Sequence, residues 1–468
     1  MANQARNASQ GGWFARERTV AKPGFNRWMV PPAALCVHLC IGEVYAFSVF
    51  NKPIATLLAS DPAQVDQLIA DVGWIFSIAI LFLGLAAAFG GAWVEKVGPR
   101  MTMATAAALF GGGFIVSALG VAWGQLWLVY FGYGVLGGCG LGLGYISPVK
   151  TLMSWFPDRP GMATGMAIMG FGGGAFIASP LSVRLMSLFG TPAAGDTPAV
   201  PGVAGAFVVL GIVYFIYMMV GALIVRVPAK GWLPAGYVPP KQSKGLITTA
   251  NVHVDEALKT RQFWLLWGVL FLNVTAGIGV LGQASLMSQE MFPGLITAAA
   301  ASGFVGLLSL FNMGGRFFWA TTSDYIGRKN TYMIFFLLGI ILYALVPTTG
   351  QMGSIVLFVL FYGIILSMYG GGFATIPAYL KDVFGNQYVG AIHGRLLTAW
   401  SAAGIVGPVL VNYIRQYQIN SGVPKADAYT VTMYIMAGLL AIGFVLNFMM
   451  SPVDERHHME AEPEPSRA

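Results

Sequence analysis

The chain has 468 residues, of which 56% are hydrophobic and 10% are charged, and its mean hydropathy is +0.68. A soluble domain carries about 25% charged residues, so this composition excludes a soluble globular protein and indicates one with many membrane spans. The net charge of +7 does not indicate nucleic-acid binding, because most Lys and Arg residues fall on the predicted cytoplasmic side of the membrane, as is typical of membrane proteins.

Twelve apolar runs, each long enough to cross a bilayer, follow one another along the chain. The first six lie at 29–50, 72–93, 101–122, 126–149, 162–187 and 205–226. The second six lie at 263–288, 297–320, 331–349, 354–380, 393–414 and 429–451. These runs predict an all-α membrane protein with twelve transmembrane helices, arranged as two six-helix halves at 29–226 and 262–451.

Polar segments flank and separate the two halves. Residues 1–28 form a basic tail, residues 227–261 a linker that contains Pro and Gly, and residues 452–468 a polar tail for which we expect disorder. The basic residues of the first two segments predict that both termini are cytoplasmic. No signal-peptide cleavage site is recognisable before the first span. We therefore expect a multi-pass protein of a bacterial inner membrane, with no nucleic-acid partner and no obligate protein partner.

An internal repeat relates the two predicted halves. A single shift of 229 residues, without gaps, aligns several Gly, Pro, Tyr and acidic positions of one half with those of the other. The aligned pairs are Tyr133 with Tyr362, Gly142 with Gly371, Pro148 with Pro377, Glu95 with Asp324, Gly98 with Gly327, Gly161 with Gly390 and Gly165 with Gly394. Parallel six-helix repeats of this kind resemble the architecture of major facilitator transporters. They predict two pseudo-symmetric halves.

Two charged loops stand at corresponding places in the repeat. The loop between spans two and three contains Gly91, Glu95, Gly98 and Arg100, and the loop between spans eight and nine contains Asp324, Gly327 and Arg328. Both resemble the G-x-x-x-D-x-x-G-R cytoplasmic loop of the major facilitator superfamily. Glycine allows the tight turn, the acid is able to cap a neighbouring helix N-terminus, and the base is able to pair with that acid. The resemblance implies a role in gating.

Arg316 is the only charged residue between Glu290 and Asp324, in an otherwise apolar stretch. A guanidinium in hydrocarbon costs at least about 3 kcal/mol and does not lose its charge, so it needs a polar cavity and an anion. Arg316 precedes Asp324 by eight residues, which places it about 12 Å inside the helix. This depth predicts a substrate anchor; the alternative is an arginine that extends to the cytoplasmic surface.

A second isolated charge lies in span one, where Glu43 is the only charged residue between Arg27 and Lys52. His38 lies about one turn away, and we count it with Glu43 as a possible proton-coupling residue. A carboxyl group inside the membrane is a candidate proton site, which would allow proton symport. The alternative is that Glu43 lies near the outer surface and is solvated, and the sequence leaves both interpretations open.

Several longer segments are similar to the oxalate/formate antiporter family of the major facilitator superfamily. They are "GEVYAFSVFNKP", "SWFPDRPGMATGMAIMGFGGGAF", "TRQFWLLWGVLFLNVTAGIG" and "FNMGGRFFWATTSDYIGR", and the similarity extends over most of residues 26–451. Members of that family move small carboxylates such as oxalate, formate, lactate and pyruvate. The resemblance implies secondary active transport by alternating access.

The same resemblance implies a substrate site. Arg316 matches the family's carboxylate-binding arginine, and four further positions match aromatic residues of the substrate cavity: Tyr45, Tyr145, Tyr369 and Phe373. A guanidinium binds a carboxylate through two parallel hydrogen bonds, and tyrosine hydroxyls donate to the remaining oxygen lone pairs. Ordinary helix packing remains an alternative for these rings, because 13% of the chain is aromatic.

The chain departs from the oxalate exchanger at the second cation. The family lysine of span eleven is replaced by Trp400, and a glutamine of span one is replaced by Val44. A dianion held by one fixed cation would keep a buried, uncompensated charge, which is costly. We therefore expect monocarboxylates such as lactate, pyruvate or formate. Asn312, one turn before Arg316, resembles the pairing in lactate-transporting relatives of monocarboxylate carriers; Arg395 lies five residues before Trp400, towards the cytoplasm.

Two rival functions remain open at this point. One is true oxalate/formate exchange, with another basic group such as Arg395 supplying the second charge. The other is a non-transporting membrane sensor that binds the same ligands. An enzyme is not expected, because neither a G-x-x-x-x-G-K-[ST] nor an H-E-x-x-H pattern occurs and no cofactor or metal is implied. Transport would be driven by a substrate or proton gradient, as symport, antiport or uniport.

Overall fold

The computed structural model describes residues 12–61, 64–191, 200–238, 245–281 and 283–459. Twelve long helices follow in chain order. They are α1 Arg27–Leu58, α2 Val65–Val97, α3 Pro99–Ala122, α4 Leu126–Trp155, α5 Pro160–Phe189, α6 Val203–Ile224, α7 Arg261–Leu281, α8 Ala298–Ile326, α9 Arg328–Gln351, α10 Ile355–Phe384, α11 Val389–Asn420 and α12 Thr430–Phe448. Between the described residues, β-pairing is limited to isolated bridges.

In the described part of the chain, eleven of these helices are long and apolar enough to cross a membrane. The remaining helix, α8, has 29 residues and is therefore about 43 Å long. It carries Asn312, Arg316 and Asp324 within an otherwise apolar run. The predicted all-helical membrane fold is confirmed, and the predicted number of twelve spans agrees closely with the helices observed.

Helix packing follows the 229-residue repeat. Helix α5 of the first half packs against α8 and α10 of the second, and α11 of the second half packs against α2 and α4 of the first. Within the first half, α1 packs on α5 and α3 packs on α6. The equivalent pairs of the second half are α7 on α11 and α9 on α12. Each contact therefore has an equivalent in the other half, which makes the two halves pseudo-symmetric. The interface between the halves lies along α2, α5, α8 and α11.

Helix α1 changes its backbone geometry halfway along its length. It is α-helical over Pro31–Ile41 and 3-10 helical over Gly42–Phe50. At the change, a Cβ atom on Gly42 would lie 3.0 Å from backbone atoms of Phe171, so only glycine allows α1 to approach α5 this closely. The tighter winding sets the directions of the side chains that follow Gly42.

The N-terminal tail, the linker and the start of the C-terminal tail are joined to one another by isolated β-bridges. Val20 of the N-terminal tail forms a β-bridge with Val227 at the start of the linker. Val252 of the linker pairs with His458, so the expectation of a disordered C-terminal tail is wrong for 452–459. Residues 1–11, 239–244 and 460–468 lie outside the described residues. We propose the boundaries 1–28, 29–226, 227–261, 262–451 and 452–468 for the segments of the chain.

Two adjacent glycines of α8 provide a test of the interface between α8 and α10. A Cβ atom on Gly315 would lie 2.6 Å from the carbonyl carbon of Ser367, whereas one on Gly314 would meet nothing within 4 Å. We expect Gly315→Ala to destabilise the protein by about 1–3 kcal/mol, because the backbones must separate. Gly314→Ala is expected to be neutral or to stabilise by up to about 1 kcal/mol, through helix propensity.

Thermal unfolding of the two purified variants in detergent measures this difference. Both variants make the same chemical change in the same helix, so the comparison isolates the contact with α10. Equal melting temperatures for the two variants would contradict the close approach of α8 and α10 at this point.

Candidate functional site

Arg316 lies at the interface between the halves with 0% of its surface exposed. Its Nε donates to Asn312 Oδ1 at 3.0 Å, and one terminal nitrogen donates to the carbonyl of Ile168 at 3.5 Å. The other terminal nitrogen has no hydrogen-bond partner within the described ranges of the chain. Among the described residues, no carboxylate forms an ion pair with it. The alternative of an arginine that extends to the surface does not agree with this burial.

Aromatic rings surround the guanidinium. Phe171 of α5 and Phe373 of α10 each have their ring centroid 5.3 Å from the guanidinium carbon of Arg316, within range of a cation–π interaction. Trp400 packs on Phe373 with centroids 4.3 Å apart, and Tyr145 lies 5.4 Å from Trp400. Three aromatic residues that the sequence analysis singled out, Phe373, Trp400 and Tyr145, therefore lie together beside Arg316.

Phe171 is a residue of this site that the sequence analysis does not identify. It lies in the glycine-rich run "GFGGGAF", whose abundance of Gly indicates close packing and gives no sign of a cavity. The 229-residue shift, however, pairs Phe171 with Trp400, and their rings lie 5.4 Å apart. Applying the repeat to Trp400 would have found it.

Two tyrosines link the halves on one side of Arg316. The hydroxyl groups of Tyr45 in α1 and Tyr369 in α10 lie 3.0 Å apart. Arg27 and Asp324 both contact residues at or just before the start of α5, so both lie at the same end of the bundle. Tyr45 follows Arg27 by 18 residues, which places it about 27 Å from that end, whereas Arg316 lies only about 12 Å from Asp324. The tyrosine pair therefore closes the site on the side that faces away from Asp324.

The structure separates two other cations, Lys381 and Arg395, from Arg316. Lys381 donates to the carbonyl of Pro157, which precedes α5. Arg395 pairs with Asp255 of the linker at 2.8 Å. Arg395 therefore does not replace the second cation of the oxalate exchanger in this conformation.

Glu43 lies in the interior of the first half, away from Arg316. Its side chain is 0% exposed, and one carboxyl oxygen accepts a hydrogen bond of 2.8 Å from Tyr133, while the other has no partner among the residues described. The alternative of a solvated Glu43 does not agree with this burial. His38 instead contacts the backbone carbonyls of Ala167 and Tyr145. The two candidate proton sites thus face different neighbours, and neither the pairing of Tyr133 with Glu43 nor this separation was apparent from the sequence.

A comparison with models of protein families decides the family. Residues 33–408 match the model described as Major Facilitator Superfamily. The chain belongs to the major facilitator superfamily.

Relatives within the superfamily include carriers of small carboxylates. The chain is 27% identical over 438 residues to the oxalate:formate antiporter of Oxalobacter formigenes, covering 93% of this chain and 96% of that one. It is 24% identical to apicoplast pyruvate carrier 1 of Toxoplasma gondii, covering 86% and 78%. The Escherichia coli fucose:proton symporter has the same fold, with a TM-score of 0.62, 16% identity and coverage of 92% and 100%. The resemblance to the oxalate/formate antiporter family is confirmed.

The superfamily loop between α8 and α9 connects the two halves. Asp324 accepts hydrogen bonds from the backbone N–H groups of Gly161 and Met162, at 2.9 and 2.8 Å, and so caps the N-terminus of α5. Arg328 donates to the same carboxylate at 2.6 Å. This geometry is the one that the motif predicts, with the acid on a helix of the opposite half and the base beside it.

Glycines shape both loops. Gly98 and Gly327 have φ angles of +82° and +85°, which favour glycine and allow the chain to turn directly into the next helix. Gly91 faces α11, where a Cβ atom would lie 3.0 Å from the Cα of Ala391. Gly91 therefore allows the close contact of α2 with α11.

The loop between α2 and α3 differs from the prediction in its ion pair. Glu95 pairs with Lys150 of α4 at 2.5 Å. Arg100 does not pair with Glu95 and donates instead to the backbone carbonyls of Trp13 and Leu223. The expected pairing of acid and base within this loop is therefore wrong, because the N-terminal tail and α6 supply carbonyl acceptors for Arg100.

Proposed function

We propose that this superfamily transporter carries small monocarboxylate anions by alternating access. The observation that supports the proposal is the buried guanidinium of Arg316, which lies between the halves. One of its terminal nitrogens has no hydrogen-bond acceptor among the described residues. A buried charge without a counter-ion costs several kcal/mol. A bound carboxylate would compensate that charge and accept the free hydrogen bond. Substrate binding would thereby favour closure of the halves around the site.

The preference for a monoanion rests on the charge balance of the site. Lys381 and Arg395 have partners elsewhere, so one arginine faces the substrate region in this conformation. A monocarboxylate would neutralise it, whereas a dianion would leave one negative charge without a partner. Oxalate/formate exchange remains the second candidate, because a relative at 27% identity is an oxalate:formate antiporter.

Uptake into proteoliposomes tests the proposal. Labelled lactate, pyruvate, formate and oxalate would be supplied outside, with either no internal anion or an excess of one. We expect uptake of the monoanions and little uptake of oxalate. Oxalate uptake that requires internal anion would support the exchanger instead. Binding of these anions without flux of any of them would identify a sensor.

For energy coupling, we propose proton symport, with Glu43 as the proton site. Glu43 is 0% exposed and accepts a hydrogen bond from Tyr133 of α4, so binding or release of a proton there would change a charge that is buried inside the first half. Glu43 precedes Tyr45 by two residues in the 3-10 segment of α1, so a change of its charge would act on the tyrosine pair.

Glu43→Gln is the variant that tests this coupling. The amide keeps the shape of the side chain but cannot release a proton, so we expect accumulation driven by an inward proton gradient to disappear. Exchange of internal for external substrate is expected to continue at a similar rate. Uptake with and without a pH gradient, compared with counterflow, measures both properties.

The exposed Glu455 provides a matched control, because Glu455→Gln makes the same change at a distance from the bundle. It is expected to keep the full response to the gradient. A Glu43→Gln protein that still accumulates substrate in proportion to the pH gradient would refute the coupling role.

The orientation in the membrane belongs to the same proposal. We propose a bacterial inner-membrane protein with both termini in the cytoplasm. The concentration of Lys and Arg in the N-terminal tail and in the linker supports this orientation. In that orientation Asp324 lies at the cytoplasmic gate and the pair of Tyr45 and Tyr369 at the outer one.

A further inference from the structure

Three hydrogen-bond donors in the site are buried and have no acceptor among the residues that the structure describes. They are one terminal nitrogen of Arg316, the hydroxyl of Tyr145 and the indole Nε1 of Trp400. All three side chains are 0% exposed. A buried donor without a partner is unfavourable, because it has lost its hydrogen bonds to water. Together they form a surface of donors that is complementary to a ligand rich in oxygen.

All three side chains pack around the ring of Phe171. Arg316 and Trp400 both lie against the rings of Phe171 and Phe373. Tyr145 has its ring 5.6 Å from Phe171 and 5.4 Å from Trp400. The indole is therefore a neighbour of the carboxylate position and is not a separate site.

The chemistry of an indole restricts what it binds. Its N–H is a single neutral donor that cannot accept a hydrogen bond. It cannot balance a second carboxylate charge, but it is well suited to a carbonyl or hydroxyl oxygen. In a small monocarboxylate held by Arg316, such an oxygen on the carbon next to the carboxylate would lie within reach of a neighbouring side chain.

We propose that Trp400 determines specificity and selects monocarboxylates that carry an oxygen at C2, the 2-oxo and 2-hydroxy acids, over unsubstituted acids of the same size. This inference rests on the proposed function, because it requires Arg316 to hold the carboxylate. Trp400 then donates to the C2 oxygen, and Tyr145 donates to the carboxylate. Acetate and propionate would leave the indole without an acceptor.

The test compares wild type with Trp400→Phe, which removes the N–H and retains an aromatic ring. Initial rates of uptake into proteoliposomes give kcat/KM for pyruvate, lactate and propionate. In the wild type we expect pyruvate and lactate to be preferred over propionate. In Trp400→Phe we expect kcat/KM to fall about 10- to 100-fold for pyruvate and lactate, and less than about threefold for propionate.

Trp319→Phe is the matched control. Trp319 lies on the same helix as Arg316, and its indole N–H already has an acceptor, the hydroxyl of Ser367 at 3.1 Å. It is not one of the three donors without a partner. We expect this variant to leave the ratio of pyruvate to propionate unchanged, even where it lowers expression or stability.

The outcomes separate the two proposals. If the wild type transports none of these acids, the proposed function itself fails. If the wild type transports pyruvate and propionate equally well, the inference about Trp400 is overturned and the proposed function stands; this comparison does not require the variant to fold. If Trp400→Phe lowers both substrates by the same factor, Trp400 supports the site without selecting its ligand, and the inference is again overturned.

Discussion

Replacing Arg316 by glutamine is expected to reduce uptake of monocarboxylates at least about 100-fold. The guanidinium supplies a positive charge and two parallel hydrogen bonds to a carboxylate, and hydrogen bonds to charged groups contribute about 1.5–3 kcal/mol each. Glutamine keeps a polar side chain that Asn312 and Ile168 are able to contact, so the variant is expected to fold. Initial rates of uptake into proteoliposomes measure the loss.

Two further measurements make this result specific. Arg184→Gln makes the same substitution at an exposed position of α5, and we expect it to transport normally. Substrate added to the wild type should raise the melting temperature, because a ligand that binds the folded state stabilises it, whereas Arg316→Gln should show no such shift. Normal transport by Arg316→Gln would show that the central cation does not anchor the substrate.

Replacing Asp324 by asparagine is expected to open the gate at the start of α5. The carboxylate accepts from two backbone N–H groups and from Arg328, and its side chain is 11% exposed. Loss of the charge is expected to weaken closure by about 1.5–3 kcal/mol, a change of about 10- to 100-fold in the equilibrium between closed and open gates. Hydrogen exchange at the amides of Gly161 and Met162 should accelerate by a similar factor, and transport should fall.

Glu95→Gln is the matched control, because Glu95 occupies the equivalent position in the first half. Its carboxylate pairs with Lys150, and this pair is more exposed, at 18% and 29% for the two side chains. Ion pairs that solvent reaches contribute about 0–1 kcal/mol. We therefore expect less than about a fivefold change in exchange at the start of α11. Equal effects of the two substitutions would contradict the structural difference between the two loops.

Both predictions concern the closed arrangement of the molecule. Arg316 lies between a pair of tyrosine hydroxyls on one side and the capped N-terminus of α5 on the other. Neither closure is covalent, and each depends on a few hydrogen bonds between the halves. Alternating access requires that these closures break in turn, and the residues that form them are therefore the ones whose substitution should change the balance between the two open states.

The sequence predicted the features that depend on chemical type along the chain. Runs of apolar residues predicted the spans, and the 229-residue repeat predicted the two halves. A lone charge in an apolar run predicted that Arg316 lies inside its helix bundle and not at the surface. The loop motif predicted that Asp324 would cap a helix. Each of these features is visible as a residue type at a position, because a charge is rare in a membrane helix unless a function requires it. Small residues such as glycine are frequent where membrane helices approach closely.

The sequence was less informative about which helix faces meet. Phe171 joins the site, Tyr133 donates to Glu43, and Arg100 bonds to backbone carbonyls of the tail and α6. In a soluble helix the core face is apolar and the outer face polar, but in a membrane helix both are apolar. The rotation of each helix about its axis is therefore not encoded in an apolar periodicity.

The amino-acid sequence by itself determined the membrane class, the order of the helices, the repeat and the residue that carries the buried charge. Only the tertiary structure decided that Glu43 lies apart from Arg316, that Arg395 is paired with the linker, and that three donors without partners in the described part of the chain pack around Phe171. The physical reason is that charge and hydropathy belong to single residues, whereas a binding site is made by contacts between residues that are far apart in the chain and meet only when the helices pack.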